Sequence, residues 1–361
     1  MSSTTYLAEL RELVECQSPT EDLSACTRVV NLAADIVSRN LSSAAEVSTE
    51  NGRPVLWWGT KNPKIVLLTH LDTVWPTDSY LPLWKEDGEK IYGPGTFDMK
   101  AGFLQAVHAL KNIEGAESQV ALIATTDEEV GSQTSRALIE RVSKVAKAVL
   151  VFEASLDGKV KVGRKGTSMY QIKVHGRASH AGLDPEKGVN ATVEVANIVL
   201  KMVALENKDF GTTVVPTTLH SGTVTNTVPA LAVLDIDSRS FTMAELQRID
   251  VAIKGLTPVH SEVRIEVTGG INRPPLELTS TKALYEKLEK VAASLGMQPI
   301  GSASVGGASD GNLAAATGVE VLDGLGAVGD GAHAPHEHIL ASSIPPRIQL
   351  TEGFIKELIR D

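Results

Sequence analysis

Three short apolar runs, at 64–69, 119–125 and 146–152, each stop directly before a histidine or a cluster of acids. Runs of that length bounded by polar residues predict strands buried on both faces, the pattern of a largely parallel α/β sheet. In open α/β sheets, functional groups collect beyond the carboxyl ends of the strands. The three runs therefore deliver His70, the triplet Asp127-Glu128-Glu129, and Glu153 to one edge. Between the first two runs, a segment opening at Asp98 carries Phe103, Ala106, Val107 and Leu110 at helical spacing. That predicts a helix with Asp98 as its N-cap.

From about Gly166 the pattern changes to strand 168–174, helix 188–205, strands 212–220 and 231–237, helix 242–256 and strand 262–267. The order β-α-β-β-α-β predicts a ferredoxin-like module, and the alternation of Val263, Ile265 and Val267 fits a strand with one buried face. After Asn272-Arg273-Pro274-Pro275, amphipathic helices return, and a short strand at 320–322 would complete the first sheet. A chain of 361 residues is longer than one core usually serves. The expected division is a catalytic α/β domain in two pieces, 1–165 and 272–361, around an inserted domain at 166–271.

A formal net charge of −10, with no local run of Lys and Arg, argues against nucleic acid as a partner. No apolar stretch reaches the ~20 residues of a membrane helix. The first 13 residues carry Glu9 and Glu12 and lack a signal-peptide pattern, so a cytoplasmic location is expected. Cys16 and Cys26 match neither a disulfide framework nor a zinc knuckle and are expected to be reduced structural thiols.

Thr69-His70-Leu71-Asp72 is either a polar strand end or an imidazole oriented by the acid two residues on. Gly93-Pro94-Gly95-Thr96-Phe97-Asp98 lacks the Walker pattern; it is a tight turn with a capping aspartate, or it presents a carboxylate able to bridge two cations. Three consecutive acids at 127–129 repel one another unless cations are near, although a solvated acidic turn would also tolerate them. Gly331-Ala332-His333-Ala334-Pro335-His336-Glu337-His338 puts three imidazoles in one loop, a metal site or an exposed turn, with His336 and His338 competing with His333 as ligands. Carboxylates and imidazoles without thiolates suit zinc, cobalt or manganese.

Taken together, the stretches 69–74, 92–100, 126–131, 176–182, 225–230 and 331–333 resemble the M20 metallopeptidase family, most closely its glutamate carboxypeptidase (carboxypeptidase G2-like) branch. The similarity covers nearly the whole chain. It implies a zinc-peptidase catalytic domain with an inserted ferredoxin-like lid that also forms a homodimer. It further implies two zinc ions, with Asp98 bridging, His70 and Glu153 completing one site, and Glu129 and His333 the other. Glu128 would be the general base and Asp72 the partner of His70. His180 would stabilise the oxyanion in the partner's active site, and Asn226, Arg239, Arg273 and the backbone at Gly307 would bind substrate. Lys159 is a weaker match.

The implied activity is hydrolysis of an amide to release a C-terminal amino acid, glutamate by the position of Arg273, from N-acyl or peptidyl substrates. The alternative is a deacylase of the acetylornithine or succinyl-diaminopimelate kind. A non-catalytic binding protein on the same fold is a third reading, against which the intact Glu128 argues.

Overall fold

The computed structural model describes residues 3–360, which fall into two compact units. One comprises Met1–Gly163, Glu277–Val305 and Ser309–Asp361; the other comprises Arg164–Leu276 with Gly306–Ala308. The sequence boundaries of 165/166 and 271/272 differ from these for local reasons. The strand Arg264–Arg273 runs on past the alternation that marks it, and Arg164 and Leu276 exchange backbone hydrogen bonds. Arg164 also donates to the carbonyls of Gly307 and Ala308, which joins that tripeptide to the second unit.

In the first unit the strands Val120–Thr125, Ile65–His70, Ala148–Val151 and Glu320–Leu322 lie parallel in a six-stranded sheet. The first three are buried along their full length, as both-face burial requires. An antiparallel hairpin, Glu46–Glu50 and Arg53–Gly59, extends one edge. The helix Ala101–Leu110 is buried at every position and packs on the C-terminal helix Ile344–Arg360. Because the four parallel strands share one direction, their carboxyl ends share one edge.

A second sheet of this unit orders Gly329–Asp330, His338–Leu340, Lys90–Tyr92 and Lys85–Asp87. It sets the histidine loop beside the segment carrying Asp98. Contrary to the expectation from sequence, Asp98 does not cap the helix Ala101–Leu110. Its backbone is extended (φ −118°, ψ 92°), it lies in an irregular turn over Thr96–Lys100, and the helix starts after it.

The second unit is one antiparallel sheet in the order Thr213–Ser221, Leu231–Ser240, Gly166–His175, Arg264–Arg273, with helices Ala191–Val203 and Met243–Lys254. This is the strand order of the β-α-β-β-α-β module. Tyr170, Ile172, Val174, Leu234 and Ile236 join Val195, Ile198, Ile249 and Ile253 in its core. Residues between them on each strand occupy the sheet's other face. Among the described residues no helix is long and apolar enough to cross a membrane, and both cysteines are free.

Candidate metal centre

Strand ends carry most of the centre. His70 closes the strand Ile65–His70 and is fully buried. Its Nδ1 lies 3.1 Å from the Asp72 carbonyl oxygen and 3.4 Å from Asp72 Oδ1. Among the described residues its Nε2 has no hydrogen-bond partner, yet it stands 3.4 Å from Asp98 Oδ1 and 3.6 Å from Glu153 Oε1. The other oxygen of Asp98 is 3.4 Å from His333 Nε2, which is 3.0 Å from Glu129 Oε2. Two triads, His70-Asp98-Glu153 and Asp98-Glu129-His333, therefore share Asp98 and turn one of its oxygens to each imidazole.

Three carboxylates and two imidazoles crowded this closely need compensating positive charge. As the side chains stand, it is drawn from the imidazoles. Burial acts to lower the His70 pKa, but the carboxylates of Asp72, Asp98 and Glu153 outweigh it and hold the ring well above its ordinary value. Hydrogen bonds to Asp98 and Glu129 push His333 up to about 10. Burial pushes Glu129 up to about 7. Burial opposes ionisation of Asp98 as well, yet the two imidazoles win and its carboxyl falls below the usual range. A divalent cation in each triad would relieve this strain on protonation, and the unpartnered His70 Nε2 and Asp98 Oδ1 supply donors for it. The set of nitrogen and oxygen donors without sulfur fits zinc, cobalt or manganese.

Around the triads, two acids position backbone. Asp72 is buried; its Oδ2 accepts from the Thr20 hydroxyl (2.9 Å) and the Glu129 N–H (3.2 Å). Glu337, in the same loop as His333, accepts four hydrogen bonds. The N–H groups of Phe97 and Asp98 donate to Oε1, and the Gly95 N–H and Trp75 indole donate to Oε2, all within 3.1 Å. The triplet of acids divides by role. Asp127 Oδ2 accepts from Thr134 and Ser135 and closes the loop, Glu128 is half-buried in the short turn Glu128–Val130, and Glu129 faces His333.

The other two histidines of the loop are directed elsewhere. His336 is exposed, 4.0 Å from Asp330, while His338 is buried, with its ring tilted against Tyr92. His333 alone of the three joins a triad among the described residues. Lys159 is exposed on a tight turn with Leu156.

The remaining predicted residues belong to the second unit. His180 bridges Thr227 through its backbone, and the Ala181 N–H donates to the Asn226 carbonyl, so the loops of His180 and Asn226 run side by side. Arg239 and Arg273 both pair with Thr167, on either side of it, and the three share the sheet face opposite Tyr170, Ile172 and Val174. Arg239 holds Asp237 through two nitrogens, and Arg273 is buried. Gly307 is exposed, and its carbonyl accepts from Arg164.

The chain is similar to known proteins over most of its length. The model of peptidase family M20/M25/M40 matches residues 66–357. The chain is 31% identical to carboxypeptidase G2 of Pseudomonas sp. (strain RS-16), over 97% of this chain and 88% of that protein. It is 30% identical to the succinyl-diaminopimelate desuccinylase of Sulfurovum sp. (strain NBC37-1), over 83% and 84%. Its fold matches the crystal structure of aminopeptidase PepT from Bacillus cereus with a TM-score of 0.78, at 22% identity and 99% coverage of both chains. With that family model spanning the strand ends, the shared aspartate and the histidine loop, the chain belongs to the M20 peptidase family and is a metal-dependent hydrolase.

Proposed function

We propose that the protein hydrolyses an amide bond and releases a C-terminal amino acid, glutamate in the first instance, from N-acyl or short peptidyl substrates, using two zinc ions. The observation that carries this reading is the Asp98 carboxylate with one oxygen toward His70 and the other toward His333. His70, Asp98 and Glu153 would hold one ion, and Asp98, Glu129 and His333 the second; cobalt or manganese fits the same donors. Bound zinc supplies Lewis acidity toward the scissile carbonyl.

Glu128 takes a proton from the attacking water and returns it to the leaving amine nitrogen. Asp72 fixes the His70 ring through Nδ1, leaving Nε2 to the cluster. His180 stabilises the developing oxyanion, acting across a homodimer. Arg273 and Arg239 meet substrate carboxylate with forked donors, and Asn226 and the Gly307 backbone complete the recognition. For the dimer, support comes from the strand Thr213–Ser221, which among the described residues pairs on one side only. Val215 and Leu219 on it, with Val193 and Leu200 on the helix beside it, are exposed. A cytoplasmic location completes the proposal.

The 30% identity to a desuccinylase favours a second reading, a deacylase acting on an N-acyl diamino acid. Amine release from N-acyl glutamates, N-acetylornithine and N-succinyl-diaminopimelate, assayed with zinc, separates the two. Preference for glutamate derivatives is expected; preference for a diamino acid would replace the first reading with the second. Glu128→Gln should retain zinc and lose about 10²–10⁴-fold in kcat. Full turnover in that variant would remove Glu128 as the base.

A further inference from the structure

We infer that Arg347, on the C-terminal helix Ile344–Arg360, is a positioning residue for Glu153. It sets how tightly the His70-Asp98-Glu153 triad holds its cation and leaves the Asp98-Glu129-His333 triad nearly unaffected. The inference rests on the two-cation reading above. The strand Ala148–Val151 stops two residues short of Glu153, and the Phe152 N–H still donates to the Leu68 carbonyl of the strand beside it. Beyond that point the backbone is held from the other side. The Leu325 N–H donates to the Val151 carbonyl, the Gly326 N–H to the Glu153 carbonyl, and the Ser155 N–H to the Ala327 carbonyl, all within 3.2 Å. The approach is so close that a Cβ on Gly326 would collide with the carbonyl oxygens of Phe152 and Glu153.

Segment 324–327 is in turn held by one guanidinium. Arg347 is buried; its Nε and Nη2 both donate to the Gly326 carbonyl (3.0 and 2.8 Å), and Nη2 also reaches the Gly324 carbonyl (2.9 Å). Nη1 donates to the Gly158 carbonyl (3.1 Å), in the tight turn that follows Glu153. The same side chain thus grips both the chain beside Glu153 and the turn after it. Four bonds in two directions need a rigid fork, which Arg supplies and Lys does not. Gln105 adds a second tie, since its amide donates to the Leu325 carbonyl and to Thr351, one turn along the helix from Arg347.

Burying this charge is costly, and the acceptors that answer it are backbone carbonyls. Burial pushes its pKa down to about 10, so it remains charged at neutral pH. An apolar side chain of similar volume would fill the space at a lower desolvation cost. It could not hold the carbonyls of Gly158, Gly324 and Gly326 in place. Without the fork those acceptors lose their donor, and the segment that backs Glu153 is free to shift. The other members of the centre are anchored elsewhere: the Asp98 loop by Glu337, His70 and the Glu129 N–H by Asp72, and the His333 loop by the pairing of Gly329–Asp330 with His338 and Ile339. Loss of Arg347 therefore acts on one triad, through Glu153.

The test measures zinc and cobalt affinity, by competition with a chelator, for the wild type, Arg347→Met, Arg347→Lys and Ile348→Ala. Cobalt absorption spectra of Glu153→Ala and Glu129→Ala mark which ion belongs to which triad. Arg347→Met should weaken the ion that Glu153→Ala removes by about 10–100-fold and the other by less than about threefold, with Arg347→Lys in between. Ile348, a buried neighbour on the same helix, controls for stability: Ile348→Ala should lower Tm and leave both affinities near wild type. Should Arg347→Met fail to fold, Arg347→Lys decides alone. Equal weakening of both ions, or wild-type affinity for both, overturns the inference and leaves the two-cation reading intact. Failure of both Arg347 variants to fold also overturns it, since the residue would then serve the whole unit. A wild type that binds one ion or none overturns the two-cation reading and the inference with it.

Discussion

Glu337 holds the loop that presents Asp98 without itself belonging to either triad. A carboxylate accepting three backbone N–H groups and an indole fixes residues 95–98 more firmly than any apolar contact could. Its burial pushes its own pKa up to about 6, against the pull of those donors. Replacing it with alanine leaves the Gly95, Phe97 and Asp98 N–H groups without their acceptor and lets Asp98 drift from its place between His70 and His333. Glu337→Ala should weaken zinc affinity by about 10–100-fold in competition with a chelator, with Glu337→Gln in between. Wild-type affinity in the alanine variant would show that the loop is held by other means. Sequence could not disclose this role, because a glutamate between two histidines has the look of a solvated loop. Asp98 was ambiguous for a related reason: the residue type that caps helices is also the type that bridges cations, and backbone conformation decided between them.

At the scale of elements, a buried polar contact ties the first helix, Ser3–Glu15, to the helix Ala101–Leu110. Glu9 Oε2 lies 2.7 Å from His108 Nε2, and Asn40 donates to Oε1. Burial acts to raise the Glu9 pKa, but the hydrogen bonds from His108 and Asn40 exceed it and leave the carboxyl below its ordinary 4.5. A depressed folded-state pKa contributes stability that is present above the unfolded value and lost as pH falls through the folded one. Glu9→Gln should therefore flatten the loss of stability below about pH 4.5, measured by urea denaturation between pH 3 and 6. An acid limb identical to wild type would exclude Glu9 as a contributor.

The strands at Ile65–His70, Val120–Thr125 and Ala148–Val151 were legible because burial on both faces demands an unbroken apolar run. The hairpin Glu46–Glu50 and Arg53–Gly59 and the whole second sheet were not. Glu46–Glu50 has no buried residue, and the strands of the second sheet are only two or three residues long. The strand Arg264–Arg273 extends beyond its visible alternation because Gly269 and Gly270 interrupt the pattern. Gly269 is required there, with φ +98° and a would-be Cβ only 2.1 Å from the Met169 carbonyl oxygen.

Across the whole molecule, the metal centre draws all its residues from one unit, while the proposed substrate arginines, His180 and Asn226 lie in the other. If the one-sided strand Thr213–Ser221 and the helix beside it form the homodimer, Leu200→Glu should yield a monomer by light scattering where the wild type is a dimer. A monomeric wild type would contradict that assembly and remove His180 as a group acting on a partner. The proposed chemistry depends on two cations sharing Asp98. The most direct test is the zinc content of purified, dialysed protein beside Asp98→Asn and Glu337→Ala. The wild type should retain about two zinc ions per chain, and Asp98→Asn should lose both or hold them far more weakly. A wild type that binds one ion or none, or an Asp98→Asn variant that keeps two at wild-type affinity, would contradict the shared-aspartate centre.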